Sequence, residues 1–157
     1  IPLRLVGSEM CIRDSNNLGD YPQQKRESIM PAWDEYKKIA KARGALALEL
    51  YVVETTPIVT AEQIKETLPK HLAYQEQLER EGKLFLAGPL SDHTGLSMEG
   101  GGLIVYRACS LQEADALAKA DPMHVRKVRN YTLRKWLVNE GSPRISVGLS
   151  QQSVSLD

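Results

Sequence analysis

Helix-like and strand-like segments alternate along this chain in an order that restricts the architecture it can form. Strands are recognised by alternating apolar residues, and helices by apolar residues three or four positions apart. The predicted segments are a helix over 31–43, a strand over 46–55, a helix over 68–82, strands over 83–90 and 103–108, a helix over 111–120 and a strand over 130–138. After the first helix the order is β-α-β-β-α-β. It predicts an α+β domain with a ferredoxin-like antiparallel sheet and both helices on one face.

The helix before the second strand carries conflicting signals. Thr60 and Gln63 have the spacing of a capping box, which predicts a helix start. Pro69 falls inside the same stretch, and an internal proline removes a backbone hydrogen bond and clashes with the preceding turn. We therefore expect a short helical turn, a break, and then the main helix from about Leu68 to a stop at Gly82.

The segment 91–102 is rich in glycine, with Gly95, Gly100, Gly101 and Gly102. It lacks the lysine and the spacing of a phosphate-binding loop, so we interpret these glycines as a source of flexibility. If the domain is an enzyme, a flexible loop at this position is expected to act as a lid over its site.

Both ends of the chain are expected to lie outside the folded domain, which we assign to residues 30–150. Residues 1–29 have no core-forming period, and their first fifteen residues resemble the peptide made when sequencing-adaptor read-through is translated in frame. We expect Met30 to be the natural start; the alternative is a natural, poorly ordered N-terminal arm. Residues 151–157 are predicted to be frayed, after a short fifth strand over 145–149.

Charge and composition argue against several classes of function. The 157 residues include 20 basic and 20 acidic side chains, for a formal net charge of zero. No basic stripe predicts nucleic-acid binding, and no apolar run approaches the roughly 20 residues that cross a bilayer. Cys11 and Cys109 lie far apart, and the three histidines lack the spacing of a metal site. We expect a soluble cytoplasmic protein without metal or organic cofactor.

His71 is the first candidate for chemistry. It lies seven residues from both Ile64 and Leu78, so all three share one helix face, and we expect the imidazole to point toward the sheet. A histidine on an apolar face is more often a packed core residue than a catalyst. A buried imidazole nevertheless tends toward its neutral form, which accepts a proton near pH 7, so an acid/base role stays open.

Asp121 is the second candidate. It lies at the C-terminal end of the helix over 111–120, where the helix dipole disfavours a carboxylate. The structural interpretation is that Asp-Pro commonly opens a turn. The functional interpretation is that residues kept in unfavourable positions often serve activity. Because the two helices of the β-α-β-β-α-β unit lie side by side, His71 and Asp121 are predicted to approach within hydrogen-bond distance.

Four short motifs occur in a fixed order along the chain. They are His71-Leu72, Leu78-Glu-Arg-Glu-Gly-Lys-Leu84, Ala87-Gly-Pro-Leu-Ser-Asp92 and Ala118-Lys-Ala-Asp-Pro-Met123. Together they resemble the YciI-like (YCII-related) family, and the ending Trp136-Leu-Val-Asn-Glu-Gly141 is similar to that of a longer subgroup. The resemblance covers roughly residues 33–149. It implies a fold similar to that of muconolactone isomerases, and one branch of the family eliminates chloride from a hydroxyquinone.

The resemblance also implies a dimeric α/β barrel whose pocket holds a histidine and an aspartate, matched here by His71 and Asp121. The residues that we assign to substrate binding on this basis are Gly88, Pro89, Ser91 and Asp92. On position alone, Asp92 and His93 could line a pocket mouth, but both of them and His124 are interpreted as exposed loop residues. The subgroup usually has a glycine near the position of Lys127, and the bulkier, more basic segment here puts the shape of the pocket in question.

Two functions fit these observations. In the first, His71 is the acid/base and Asp121 orients it, in an isomerase or lyase that acts on a small cyclic or enolisable metabolite. In the second, the domain is a non-catalytic small-molecule-binding or dimeric accessory module. One sheet face has no cover in so small a chain, which predicts a homodimer. Trp136 and the helix around Trp33 are the expected cover.

Overall fold

The computed structural model describes residues 30–156 and confirms an α+β architecture with an antiparallel sheet. Its elements are α1 (Trp33–Ala42), β1 (Leu48–Pro57), α2 (Ala61–Arg80), β2 (Leu84–Ser91), β3 (Met98–Tyr106), α3 (Leu111–Ala120), α4 (Pro122–Val125), β4 (Arg129–Val138), β5 (Ile145–Gly148) and β6 (Ser153–Leu156). The four-stranded sheet has the order β2-β3-β1-β4. The expectations for residues 1–29 fall outside the described residues. In the part that is described, no helix has the length and apolar character needed to cross a bilayer.

One face of the sheet packs against α2 and α3 and carries the main core. Because side chains alternate along a strand, Tyr51 and Val53 of β1 share this face with their partners Tyr106 and Ile104 of β3. The helices contribute Leu78, Ala114 and Ala118 to the same buried cluster. These contacts hold α2 and α3 side by side above the sheet.

The first helix, α1, packs on this same face. Leu137 of β4 pairs with Glu49 of β1, and Glu49 alternates onto the same face as Tyr51. Leu137 clusters with Ala40 of α1, and Trp33 Nε1 donates a 2.6 Å hydrogen bond to Glu49 Oε2. The prediction that the helix around Trp33 covers the opposite face is therefore wrong.

The opposite face of the sheet is apolar and partly exposed. Trp136 of β4 pairs with Leu50 of β1 on this face and is 43% exposed. Leu48 and Leu86 lie on it too and are 39% and 52% exposed. We call the face that carries Leu48, Leu50, Leu86 and Trp136 the outer face.

The helix α2 is continuous across Pro69, so the predicted break is wrong. Proline cannot donate to the carbonyl of Lys65, four residues earlier. Both residues are exposed, so water can bond to that carbonyl. Thr67 lies before the proline, Gln75 and Leu78 lie after it, and all three are buried. Packing of both halves of the helix therefore outweighs the local cost of the proline.

The strand β3 begins at Met98, inside the segment predicted to be a flexible lid. The glycines of β3 allow the neighbouring strands to approach closely, because they have no side chain. A Cβ on Gly101 would lie 3.3 Å from the Thr55 backbone oxygen, and one on Gly102 would lie 3.2 Å from the Gly88 backbone oxygen. Only the turn between β2 and β3 remains as a candidate lid.

A C-terminal hairpin stands where the tail 151–157 is predicted to be frayed. Its strands β5 and β6 pair from Ile145 opposite Leu156 onward. Val147 pairs with Val154, so the apolar side chains share one face, and serines or glycine occupy the other. The strands are only four residues long and have serine at alternate positions, so their alternation was too weak to be read as a strand pair.

Candidate functional site

His71 and Asp121 meet between α2 and the junction of α3 and α4. The core contacts of Leu78 with α3 set the two helices side by side, and His71 lies on the same α2 face as Leu78. His71 Nδ1 lies 2.9 Å from both Oδ1 and Oδ2 of Asp121. The predicted approach of the two side chains is confirmed, while their catalytic role stays a prediction.

Asp121 ends one helix and starts the next. It is the C-cap of α3 and the N-cap of α4, and its Oδ1 accepts a 2.9 Å hydrogen bond from Met123 N. The backbone donor at the start of α4 offsets the unfavourable position at the end of α3. Helix α4 was not predicted, although aspartate followed by Pro122 is the pattern of an N-cap with proline at the first helical position.

The Asp121 carboxylate is buried, and its surroundings favour the ionised form. Its side chain is 0% exposed, and Gln75 Nε2 donates to Oδ2 at 3.0 Å in addition to the donors His71 and Met123. Burial by itself raises the pKa of Asp121. The hydrogen bond and charge of His71, with the Met123 backbone donor, outweigh burial, so the pKa lies below its usual range.

The ionised carboxylate fixes which nitrogen of His71 carries the proton. A carboxylate only accepts hydrogen bonds, so Nδ1 of His71 must be the donor, and the neutral ring then has its lone pair on Nε2. The His71 side chain is 13% exposed, and Nε2 remains accessible without a hydrogen bond to any of residues 30–156. The arrangement offers a proton acceptor at Nε2 and a carboxylate that stabilises the resulting imidazolium.

His124 is a second histidine in this region, and its assignment to an exposed loop is wrong. It lies in α4, half-buried, with Nδ1 2.6 Å from the Ala118 carbonyl oxygen and its ring 4.5 Å from that of Tyr131. Burial is the main cause that lowers the pKa of His124, which favours the neutral ring. Its Nε2 is buried without a hydrogen-bond partner among the described residues.

The residues predicted to bind substrate lie around the turn between β2 and β3. Pro89 and Ser91 line a surface depression of about 190 Å³, and Gly88 lies in β2. Asp92 stabilises the turn itself, because its Oδ1 accepts hydrogen bonds from the Thr94 backbone and hydroxyl. Neither His71 nor Asp121 lines this depression, nor a second one of about 180 Å³ beside Tyr131 and Asn130. The substrate role of these residues stays a prediction.

Lys127, where the sequence departs from the family pattern, has a φ of 53°. This is the left-handed region that favours glycine. Its side chain is exposed, so the departure adds backbone strain without adding bulk to the interior.

Two further polar residues of the site were not predicted. Gln75 orients the Asp121 carboxylate, as described above, and Arg129 lies on the core side of β4. Helix period places Gln75 on the same stripe of α2 as His71, but it does not indicate the hydrogen bond of Gln75 to Asp121. The alternation of Arg129 with Tyr131 and Leu133 could have indicated an inward-facing arginine.

Comparisons with known proteins identify the family of this chain. The model of the YCII-related domain matches residues 49–137. The chain is 32% identical over 72 residues to the uncharacterized protein YjpA of Bacillus subtilis (strain 168), a match that covers 46% of this chain and 78% of that protein. A solved structure of 5-chloro-2-hydroxyhydroquinone dehydrochlorinase (TftG) from Burkholderia phenoliruptrix AC1100, in complex with 2,5-dihydroxybenzoquinone, is 19% identical with a TM-score of 0.46, over 55% of this chain and 92% of that one. The chain belongs to the YCII-related domain family.

Proposed function

We propose that this domain is an acid–base enzyme of the isomerase or lyase type that acts on a small cyclic or enolisable molecule. The observation that supports it is the state of His71. Its Nδ1 is held by a buried, ionised carboxylate, while Nε2 is accessible and has no partner in residues 30–156. A histidine that fills a core usually has both ring nitrogens bonded.

The proposed reaction moves a proton and needs no cofactor. His71 Nε2 takes a proton from a carbon next to a carbonyl, and the electron pair of that C–H bond moves onto the carbonyl oxygen as an enolate. Asp121 stabilises the imidazolium through the Nδ1 contact of 2.9 Å. In an isomerase the imidazolium returns the proton at another carbon. In a lyase, a leaving group departs with its bonding electrons as the enolate collapses, and the imidazolium gives its proton to the leaving group or to water.

A second candidate is a non-catalytic small-molecule-binding or dimeric accessory module. It is favoured by the position of the two surface depressions, neither of which has His71 or Asp121 on its wall. In this function the pair would fix the junction of α3 and α4, and ligands would bind elsewhere on the domain.

We also propose that the domain works as a homodimer of the dimeric α/β barrel type. The outer face exposes Leu48, Leu86 and Trp136, and a second copy packed on it would bury these side chains. We place the protein in the cytoplasm, where the exposed free thiol of Cys109 would stay reduced. Nucleic acid is not proposed as a partner, since the formal net charge is zero.

Proton exchange tests the enzyme proposal directly. Small phenols, lactones and hydroxyquinones are first screened for a thermal shift of the wild-type chain. Each hit is then incubated in D₂O, and loss of its exchangeable C–H signal is followed by proton NMR. We expect exchange with wild type and with His93→Ala, an exposed control histidine, but not with His71→Ala. Equal exchange by His71→Ala, or none by wild type for any hit, would contradict the proposal.

A further inference from the structure

Arg129 occupies an unusual place for a charged residue. It is the first residue of β4 and pairs with Pro57 of β1. By alternation it shares the core-facing side of the strand with Tyr131 and Leu133, which pack against the main core. Burying a guanidinium there is costly unless something compensates its charge.

The described residues give this guanidinium one polar partner and no carboxylate. Nη1 donates to the hydroxyl of buried Thr55 at 3.3 Å, and Nε is buried without a hydrogen bond. Arg129 forms no ion pair within residues 30–156. Four other arginines do pair with a carboxylate, namely Arg43, Arg80, Arg126 and Arg134. Arg129 is partly buried and therefore has donors without a partner in the described residues, of which Nε is fully buried.

Gly102 of β3 lies close to the guanidinium and to the Thr55 hydroxyl. A Cβ on Gly102 would lie 3.7 Å from Arg129 Nη1 and 3.6 Å from Thr55 Oγ1. The same Cβ would lie 3.2 Å from the backbone oxygen of Gly88, within the motif assigned to substrate binding. The lack of a side chain at Gly102 therefore lets Arg129, Thr55 and the backbone of Gly88 lie close together.

The guanidinium also lies within electrostatic range of the proposed catalytic pair. Burial is the main cause that lowers the pKa of Arg129, and the charge of Asp121 opposes that shift. The charge of Arg129 acts in turn on His124. Asp121 does not neutralise Arg129 by contact, because its oxygens are held by His71, Gln75 and Met123.

We infer that Arg129 binds a negatively charged oxygen of the substrate on which the proposed acid–base reaction acts. The inference rests on that proposed function and narrows the substrate class to small molecules that carry a carboxylate or an acidic phenolic or enolic hydroxyl. A guanidinium suits either group, because it keeps its charge and offers several donors in one plane. Bound in this way, the anion would compensate the charge of Arg129, which has no carboxylate partner among the described residues.

Titration of the arginine side chain with simple anions tests this inference without turnover. The full chain labelled with ¹⁵N is titrated with benzoate, with 4-nitrophenolate and with the neutral analogue benzamide, and the Nε–H signals are followed. The Arg129 signal is assigned by its loss in Arg129→Lys. We expect a saturable shift of this signal with at least one of the two anions and none with benzamide. Benzoate alone would indicate a carboxylate, and 4-nitrophenolate alone an acidic hydroxyl.

Matched variants complete the test. Arg129→Gln should weaken binding of the active anion at least tenfold, about 1.4 kcal/mol. Arg80→Gln, which removes an exposed arginine on α2, should leave the affinity unchanged. Absence of any shift of the wild-type signal, or full affinity in Arg129→Gln, would overturn the inference.

The two proposals fail separately. Anion binding is measured without chemistry, so it would persist in His71→Ala even if no hit ever exchanged a proton. Conversely, proton exchange could depend on His71 and yet be unchanged in Arg129→Gln. That result would support the enzyme proposal and refute the binding of its substrate by Arg129.

Discussion

The imidazole of His71 faces the carboxylate of Asp121 symmetrically, with Nδ1 2.9 Å from each oxygen. Both oxygens also accept other donors, Oδ1 from Met123 N and Oδ2 from Gln75 Nε2. The carboxylate is therefore fixed from three sides, and the ring is oriented by a group that does not itself move. Such a pair keeps one tautomer of histidine in place between encounters with ligand.

The first prediction separates catalysis from stability at His71. His71→Ala should remove proton exchange and lower the free energy of unfolding by about 1–3 kcal/mol, because a buried carboxylate loses a donor. His71→Gln offers an amide donor to Asp121 but no proton acceptor. We expect it to recover at least half of the lost stability, measured by urea denaturation, and none of the exchange. Exchange restored by His71→Gln would show that the histidine is not the base.

The second prediction concerns the stability of the folded chain at low pH. The pKa of Asp121 is lower in the folded chain than its unfolded value of about 3.9, so its stabilising contribution is complete above that value. The contribution is lost as pH falls from about 4 through the folded pKa. Wild type should therefore lose stability below about pH 4 more steeply than Asp121→Asn, as measured by urea denaturation at a series of pH values. Parallel curves for the two chains would contradict this.

The sequence predicted which helices and strands form better than it predicted where each begins and ends. The periods of two and 3.6 indicated the sheet strands and main helices, because those patterns report which side chains are buried. The helix break predicted at Pro69 was wrong because the local sequence does not show the tertiary packing on both sides of the proline. The glycines of β3 were interpreted as a source of flexibility, but they allow close approach to Thr55 and Gly88. Those residues are distant along the chain, so the local sequence does not show the contacts.

The candidate site was predicted only in part, because the sequence shows periodicity and element order but not which side chains pack together. Helix period placed His71 inward, and the side-by-side helices brought it to Asp121. Gln75 and Arg129 were missed because their importance depends on which polar atoms share the interior, a property of the packed chain. Short α4 was missed because four residues give no period.

The third prediction concerns backbone strain at Lys127. A non-glycine residue in the left-handed region costs about 1–2 kcal/mol, and glycine adopts it freely. Lys127→Gly should therefore stabilise the chain by about 0.5–1 kcal/mol, after the larger entropy of glycine in the unfolded state is subtracted. The control Lys127→Ala keeps the Cβ and should give no gain. Thermal unfolding of the three chains measures the effect, and a loss of stability in Lys127→Gly would contradict it.

The last prediction concerns assembly through the outer face. Trp136 is 43% exposed near the C-terminal end of β4, next to apolar neighbours of the same sheet. A charge at this position would be desolvated in a face-to-face dimer but solvated in a monomer. Trp136→Glu should therefore convert a dimer at tens of micromolar into a monomer by light scattering. Leu111→Gln alters a similarly exposed residue on the helix side and should leave the dimer intact. A wild-type chain that is monomeric at that concentration would refute assembly through this face.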